Sequence, residues 1–445
     1  MEKAKMSQIK DSGIGWIGEI PEEWNIKKFK YIAKLYTGNS ISDEEKYLYE
    51  NNVNELSYPY VSTKDVNLNT KTVNYDSGMR IDMNNRKFRI ANPGDTILCI
   101  EGGSAGKKMA QINQKICFVN KLCAMHAEKD ILDDWINLYV QSDSFAKEFS
   151  LNMSGMIGGV SLFDLKNFSI VVPPLNEQKL ISKFLKEKTS KLDEAIKSAK
   201  NEIDLLNQLK RNIIRKTVTK GLEQNPNLKY SGVDWIGKIP QNWAVRKLRY
   251  LGTLQNGISK DGGSFGSGYP FVSYGDVYNN FVLPTQVDGL VESTSSERKL
   301  FSVEKGDIFF TRTSETAEEI GLVSTCFESI ENATFAGFLI RFRPASNTLD
   351  RNFSKYYFIS DILRKFFVKE MMVVTRASLG QNLLKNLSVV LPPLETQKEI
   401  ANYLDNTIGE IDKIISTLES TILISKDTKK SLIYEYVTGK KRVEA

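Results

Sequence analysis

Ser12-Gly13-Ile14-Gly15-Trp16-Ile17-Gly18-Glu19-Ile20-Pro21-Glu22-Glu23-Trp24 returns 219 residues later as Ser231-Gly232-Val233-Asp234-Trp235-Ile236-Gly237-Lys238-Ile239-Pro240-Gln241-Asn242-Trp243. Lys28 and Tyr31 return as Lys247 and Tyr250 at the same spacing. Far downstream, Pro173-Pro174-Leu175 returns as Pro392-Pro393-Leu394, again 219 residues on. The chain therefore reads as two copies of one unit, roughly 11–222 and 230–442. Between these anchors the spacing slips. Tyr58-Pro59-Tyr60-Val61-Ser62 resembles Tyr269-Pro270-Phe271-Val272-Ser273 at an offset of 211, and Arg86-Lys87 with Gly94-Asp95 resembles Arg298-Lys299 with Gly306-Asp307 at 212. The frame is shared and the loops differ, and variable loops on a fixed frame are where binding specificity resides.

The front of each copy mixes strand and helix signals. Short β-branched or aromatic runs bounded by Gly, Pro or Asp predict strands at Thr96–Ile100, Ile116–Asn120, Ile308–Thr311 and Phe338–Phe342. A helix is predicted over 132–150, with Trp135, Leu138, Tyr139, Phe145 and Phe149 on one face, and its counterpart over 349–370 carries Phe353, Tyr356, Tyr357, Leu363, Phe366 and Phe367. Asp133 and Asp350 stand where a capping carboxylate would. Rings at helical spacing are read as core rather than as base-stacking groups.

Each front half closes on Ser169-Ile170-Val171-Val172-Pro173-Pro174-Leu175 or Ser388-Val389-Val390-Leu391-Pro392-Pro393-Leu394, a strand stopped by a stiff diproline. A long helix follows. Over 176–220 one seven-residue series is Leu185, Leu192, Ala199, Leu206, Ile213, and a second is Thr189, Ile196, Ile203, Lys210, Thr217. In the second copy these become Leu404, Ile411, Leu418, Ser425, Leu432 and Ile408, Ile415, Ile422, Lys429, Tyr436. Leucine along one seam position and β-branched residues along the other describe a coiled coil, with Lys210 and Lys429 setting register. Because a globular half lies between the helices in the chain, burying both stripes requires them to run antiparallel. The expected fold is α+β: two mixed α/β globular domains in tandem pseudo-two-fold repeat, separated by two long antiparallel coiled-coil helices. The expected divisions are 1–174, 175–222, 223–393 and 394–445.

The 445 residues are 41% hydrophobic and 26% charged, which excludes a chain that is mainly disordered. Sixty Lys and Arg against 54 Asp and Glu give a formal charge of +6, which permits an anionic partner without demanding one. No apolar run reaches the roughly 18 residues of a membrane span, and Met1 to Lys10 is polar, without a secretory core. Cys99, Cys117, Cys123 and Cys326 follow no paired spacing and read as free thiols of a cytoplasmic protein.

The Trp-Ile-Gly-x-Ile-Pro-x-x-Trp opening, the Pro-Pro-Leu-x-x-Gln boundary ending at Gln178 and Gln397, the long helix after each front half and the tandem duplication together resemble the specificity subunit of a type I restriction-modification enzyme. The family favours Glu-Gln after the diproline; the first copy has Glu177-Gln178 and the second Thr396-Gln397. The resemblance implies that each front half is a target recognition domain reading one half of a bipartite sequence in double-stranded DNA. It implies helices that act as a ruler and dock two modification subunits, which methylate adenine. Restriction/translocase subunits would complete the enzyme. S-adenosylmethionine, ATP and Mg would then act on the partners, with no cofactor and no catalytic residue in this chain.

The residues agree with a chain that recognises without catalysing. Gly102-Gly103-Ser104-Ala105-Gly106 matches a nucleophile elbow, but an acid and then a histidine must follow, and no Asp or Glu lies between Ser104 and His126, the sole histidine. Lys107 after the same glycines does not make a phosphate loop, because Lys108 stands where Ser or Thr is required. Cys117, Cys123 and His126 lack the spacing of a common zinc finger, so no metal is expected. The diprolines lack the polar residue before and the aromatic after that amino-methyltransferases use, and no glycine-rich cofactor loop is evident.

DNA affinity comes from Lys and Arg on phosphates, and base choice from Arg, Lys, Asn and Gln in the grooves. The polar loop candidates are Lys64, Arg80, Arg86, Lys107, Lys108 and Gln114 in the first copy. Those of the second are Lys260, Arg298, Arg312, Arg376, Gln381 and Asn382. Cations crowding the helix ends (Lys210, Arg211, Arg215 and Lys216; Lys426, Lys429 and Lys430) are read first as complementing the helix dipole. An adaptor that holds two protein-binding domains on a coiled coil is the rival reading, and it explains the repeat equally well.

Overall fold

A computed structural model describes residues 8–50, 56–155, 158–314, 320–371 and 377–443. The chain divides into two compact units: unit 1 joins the residues up to Lys200 to those from Glu419 onward, and unit 2 is Asn201–Leu418. Each unit thus takes part of both long helices, Leu175–Lys220 and Leu394–Val437. Those helices hold 46 and 44 residues, about 69 and 66 Å at the usual rise.

In unit 1 an antiparallel sheet orders Ala33–Thr37, Leu122–Ala127, Thr96–Cys99 and Met109–Gln111. A second sheet orders Arg80–Asp82, Ser57–Val61, Ile116–Phe118 and Ile90–Ala91, with Ser57–Val61 parallel to Ile116–Phe118. Unit 2 repeats the first sheet as Gly252–Asn256, Leu339–Pro344, Ile308–Thr311 and Val323–Thr325. Its second sheet is Leu290–Val291, Phe265–Val272 and Thr334–Phe335. The strand before each diproline pairs with the strand after each tryptophan in the same register, Ser169 opposite Lys28 and Ser388 opposite Lys247. Both lysines donate to the facing serine hydroxyl at 2.9 Å.

Two glycines are fixed by this frame. A Cβ on Gly38 would lie 1.8 Å from the Phe118 carbonyl oxygen, and one on Gly257 would lie 2.1 Å from that of Phe335. Backbone meets backbone there, so no other residue fits without opening the sheet.

The predicted single helix over 132–150 is two, Asp133–Val140 and Asp143–Leu151, and that over 349–370 is Arg351–Ile359 and Asp361–Met371. The serine at each break supplies the reason. Ser142 Oγ donates to the Tyr139 carbonyl and accepts from Phe145 N, which caps the next helix, and Ser360 Oγ donates likewise to Tyr357. The capping expectation holds for Asp350, which accepts from Phe353 N, and fails for Asp133. Leu132 takes the cap position in unit 1, and Asp133 accepts instead from Ala127 N. The aromatic faces are core as expected: Trp135, Tyr139, Phe145, Phe353, Tyr357 and Phe367 are fully buried.

The glutamine of the diproline boundary ties each long helix to its globular part. Gln178 accepts from Leu132 N and donates to the carbonyls of Asp130 and Pro173. Gln397 accepts from Asp350 N and donates to those of Thr348 and Pro392. Glu177 has a separate partner, the indole Nε1 of Trp24, so Thr396 in its place leaves the glutamine lock intact.

Within unit 1 the helices are antiparallel: Phe184 packs on Tyr436 at 4.8 Å, and nine residues on, Asp193 meets Lys429 at 2.6 Å. Unit 2 repeats that ion pair as Lys210 with Asp412, also 2.6 Å. The two seam lysines are therefore satisfied by acids on the facing helix. Leu185, Leu404, Ile408, Ile411 and Ile422 are buried, while Leu192, Ile196, Ile203, Leu206, Ile213, Ile415 and Leu418 are half-buried. Near each helix end the buried apolar residues are Ile214 and Val218, or Ile433 and Val437, one position past the heptad series. There the helix packs on the globular core as well as on its neighbour.

Candidate nucleic-acid interface

Unit 1 brings several of the expected cations together. Lys64 is exposed in the turn after Ser57–Val61, and Lys107 is exposed in the glycine-rich turn. Lys108 Nζ donates to the Thr63 carbonyl at 2.8 Å, and Lys71 Nζ donates to the Lys107 carbonyl at 2.7 Å, so the two turns are laced into one basic surface. Lys71 escaped the sequence reading because its partner lies 36 residues away; its left-handed φ of 55° marks the tight turn that places it. Burial, with Lys429 and Lys430 nearby, holds the Lys71 ammonium below the usual lysine range. Arg80 is not a free cation, since it donates to the hydroxyl and carbonyl of Ser57 and so staples its own strand pair. Arg86 and Gln114 are exposed in separate turns.

In unit 2 the expected residues are more tethered. Lys260 pairs with Glu297 at 2.7 Å. Arg298 lies over the Tyr269 ring at 3.7 Å and donates to the Ser293 carbonyl. The sequence resemblance of Arg86 and Arg298 is therefore not a shared environment: one is exposed in a turn, the other is stacked and bonded. Arg312 follows strand Ile308–Thr311, its amide donating to the Phe338 carbonyl at 2.9 Å. Gln381 donates to the Asn256 side chain at 2.9 Å, and Asn382 is exposed beside it. Arg312, Gln381 and Asn382 thus share one face with the exposed ring of Phe338, which the sequence reading placed in a strand and the structure places just before one. Arg376 lies outside the described residues.

The chemical candidates dismissed from sequence have structural explanations. Gly102 to Gly106 form a hydrogen-bonded turn closed by Gly106 N to the Cys99 carbonyl, with the Phe149 ring against Gly106. All four cysteines are buried free thiols, and burial pushes those of Cys117, Cys123 and Cys326 up to about 12. No helix among the described residues is long and apolar enough to cross a membrane.

His126 Nδ1 lies 2.6 Å from Oδ1 of the buried Asp95, with the Asp133 carboxylate alongside. The equivalent pair in unit 2 is Asp307 with Arg343, also 2.6 Å. The hydrogen bond to Asp95 holds the His126 imidazolium above the usual histidine range, against the weaker opposing effect of burial. Its contribution to stability is complete below the unfolded value of about 6.5 and is lost as pH rises through the higher folded value. Arg343 stays charged throughout that window. Urea unfolding across pH 5.5 to 8.5 is expected to show a loss of stability on the alkaline side that His126→Gln removes. Unchanged pH dependence in that variant would show the pair contributes nothing.

The model of the type I restriction modification DNA specificity domain matches residues 21–205 and again 240–428. The type I restriction enzyme MjaVIII specificity subunit of Methanocaldococcus jannaschii is 25% identical, over 96% of this chain and 94% of that protein. The EcoKI specificity subunit of Escherichia coli K12 is 23% identical, over 95% and 90%. Among solved structures, a chain from a study of complex assembly and conformational transition of the type I restriction-modification system aligns with a TM-score of 0.73 at 16% identity, covering 95% of this chain and 99% of that one. The HsdS subunit from Thermoanaerobacter tengcongensis aligns with a TM-score of 0.52 at 17% identity, covering 95% and 98%. With its repeated frame matched twice by one domain model, this chain belongs to the type I restriction-modification specificity family.

Proposed function

We propose that the chain is the sequence-specific DNA-binding subunit of a type I restriction-modification enzyme, reading a split, asymmetric target with one unit per half-site. What carries the reading is a duplicated frame whose hydrogen-bonded skeleton repeats while its exposed loops do not. Two unlike readers on one chain fit two unlike half-sites at a fixed gap. Modification subunits dock on the long helices, where Leu205, Leu423 and Ile424 leave apolar side chains more than 60% exposed. Methylation, and with restriction subunits cleavage, proceed on the partners with their S-adenosylmethionine, ATP and Mg, and this chain supplies recognition alone.

Mapping of methylated adenines by the complex reconstituted with its modification subunits should return one non-palindromic motif in two parts. A gel shift with those subunits present separates this from the adaptor reading, which expects no DNA complex. Lys107→Gln is expected to lower the slope of log affinity against log salt by about one, across all sequences alike, if its ammonium neutralises one phosphate. An affinity indifferent to salt would contradict the phosphate contacts.

A further inference from the structure

The repeat allows the two units to be compared position by position, using hydrogen bonds rather than sequence offsets. In unit 1 the amide of Ile100 donates to the Lys121 carbonyl, and the amide of Val160 donates to the Ile100 carbonyl, at 3.0 and 2.9 Å. In unit 2 the amide of Arg312 donates to the Phe338 carbonyl, and that of Leu379 to the Arg312 carbonyl, at 2.9 and 2.7 Å. Gly38 N donates to the Leu122 carbonyl, as Gly257 N does to that of Leu339, at 3.4 and 3.3 Å. The backbone at this place is therefore the same in both units.

Its side chains are not. Ile100 becomes Arg312, Lys121 becomes Phe338, Leu162 becomes Gln381, Phe163 becomes Asn382, and Thr37 becomes Asn256. Ile100 is buried in the core of unit 1 and Leu162 packs against it, but the rest of the face is open: Phe163 is 75% exposed, Phe338 63%, and Lys121 and Asn382 are exposed as well. Nearby, where the units have only structure to maintain, the side chains are kept. Lys28 with Ser169 matches Lys247 with Ser388, and Lys30 with Asn167 is answered by Arg249 with Asn386. At this place the backbone repeats while the side chains it presents change.

We propose that this face is where each unit reads its half-site. This rests on the DNA reading above and gives it an address. Unit 2 presents two carboxamides already aligned, Gln381 on Asn256 at 2.9 Å, with an arginine and an exposed ring beside them. Asn and Gln match the donor and acceptor of adenine in the major groove, so unit 2 reads an A·T pair here. Unit 1 presents Lys121 next to Glu101, 3.8 Å apart, with Phe163. Lysine suits the guanine acceptors and a carboxylate the cytosine amino group, so unit 1 reads a G·C pair. The exposed rings supply apolar contact with bases.

The test uses the complex of the full chain with its modification subunits, methylating a library randomised at both half-sites. Asn382→Ala and Gln381→Ala should each relax discrimination tenfold or more at one or more positions of one half-site, including an A·T pair, and leave the other half-site as it was. Lys121→Ala and Glu101→Ala should do the converse, including at a G·C pair. Thermal midpoints of these variants, read alongside, separate lost reading from lost folding. Unchanged discrimination in variants that fold, or equal loss in both half-sites, overturns the address. Relaxation confined to the wrong base-pair class overturns the assignment of bases. A wild-type complex that methylates no split motif would sink the DNA reading itself, and the address with it.

Discussion

Leu404→Asp is expected to unfold unit 2, at a cost of about 5 kcal/mol or more against a total stability of about 5 to 15 kcal/mol for a domain. Leu404 is fully buried, in the same cluster as Ile400, Ile408, Ile411 and the aromatics of the globular part. Aspartate there removes the apolar contact and buries a carboxylate among apolar side chains, two losses that add. Leu185→Asp should do the same to unit 1, since Leu185 is equally buried beside Ile181 and Trp135. Leu192→Asp and Ile415→Asp, at two other positions of the seven-residue series, should cost less, because both are half-buried and the charge can reach water. Urea denaturation of the four variants gives the ranking directly. Equal costs at all four positions would mean that a uniform seam, rather than contact with the globular core, sets the stability of these helices.

Trp24→Ala should destabilise unit 1 by about 3 to 5 kcal/mol, the usual range for deleting a buried large aromatic. The Trp24 ring is fully buried and meets Trp135 edge to face, centroids 6.0 Å apart at 87°. Its indole nitrogen also donates to Glu177 at 3.1 Å, joining the start of the chain to the first turn of the long helix. Trp24→Phe keeps much of the packing and loses that hydrogen bond, so a smaller cost of about 1 to 2 kcal/mol is expected. Should Trp24→Phe cost as much as Trp24→Ala, the hydrogen bond rather than the ring would be the greater part. Glu177→Gln, which can still accept from the indole, then decides the point.

The repeat and the long helices were legible because their signals are local or periodic. A 219-residue offset needs no structure to find, and the seam follows from seven-residue spacing. What escaped depends on contacts distant in sequence. The helix breaks at Ser142 and Ser360 turn on one hydroxyl each, inside runs whose apolar periodicity carries straight through. The cap moves from Asp133 to Leu132 because Gln178, 46 residues away, takes the Leu132 amide. At the helix ends the buried face widens to Ile214 and Ile433 because a globular core joins the facing helix as neighbour, which a heptad rule cannot register. Among the candidate DNA residues, sequence gave the types but not the tethers. Arg80 on Ser57, Lys260 on Glu297 and Arg298 on Tyr269 are each fixed by a partner more than 20 residues away.

The interrupted composition of unit 1 bears on how the chain comes off the ribosome. Unit 2 is one uninterrupted stretch, Asn201–Leu418, and can finish folding as soon as that stretch has emerged. Unit 1 is synthesised first, yet its core includes Ile433 and Val437, so it must wait half-finished through the making of its neighbour. During that interval the face of its helix around Ile181 and Leu185 is without its last cover. Chains truncated after Leu418 and released from the ribosome should therefore hold a protease-resistant second unit beside a protease-sensitive first one, the reverse of their order of birth.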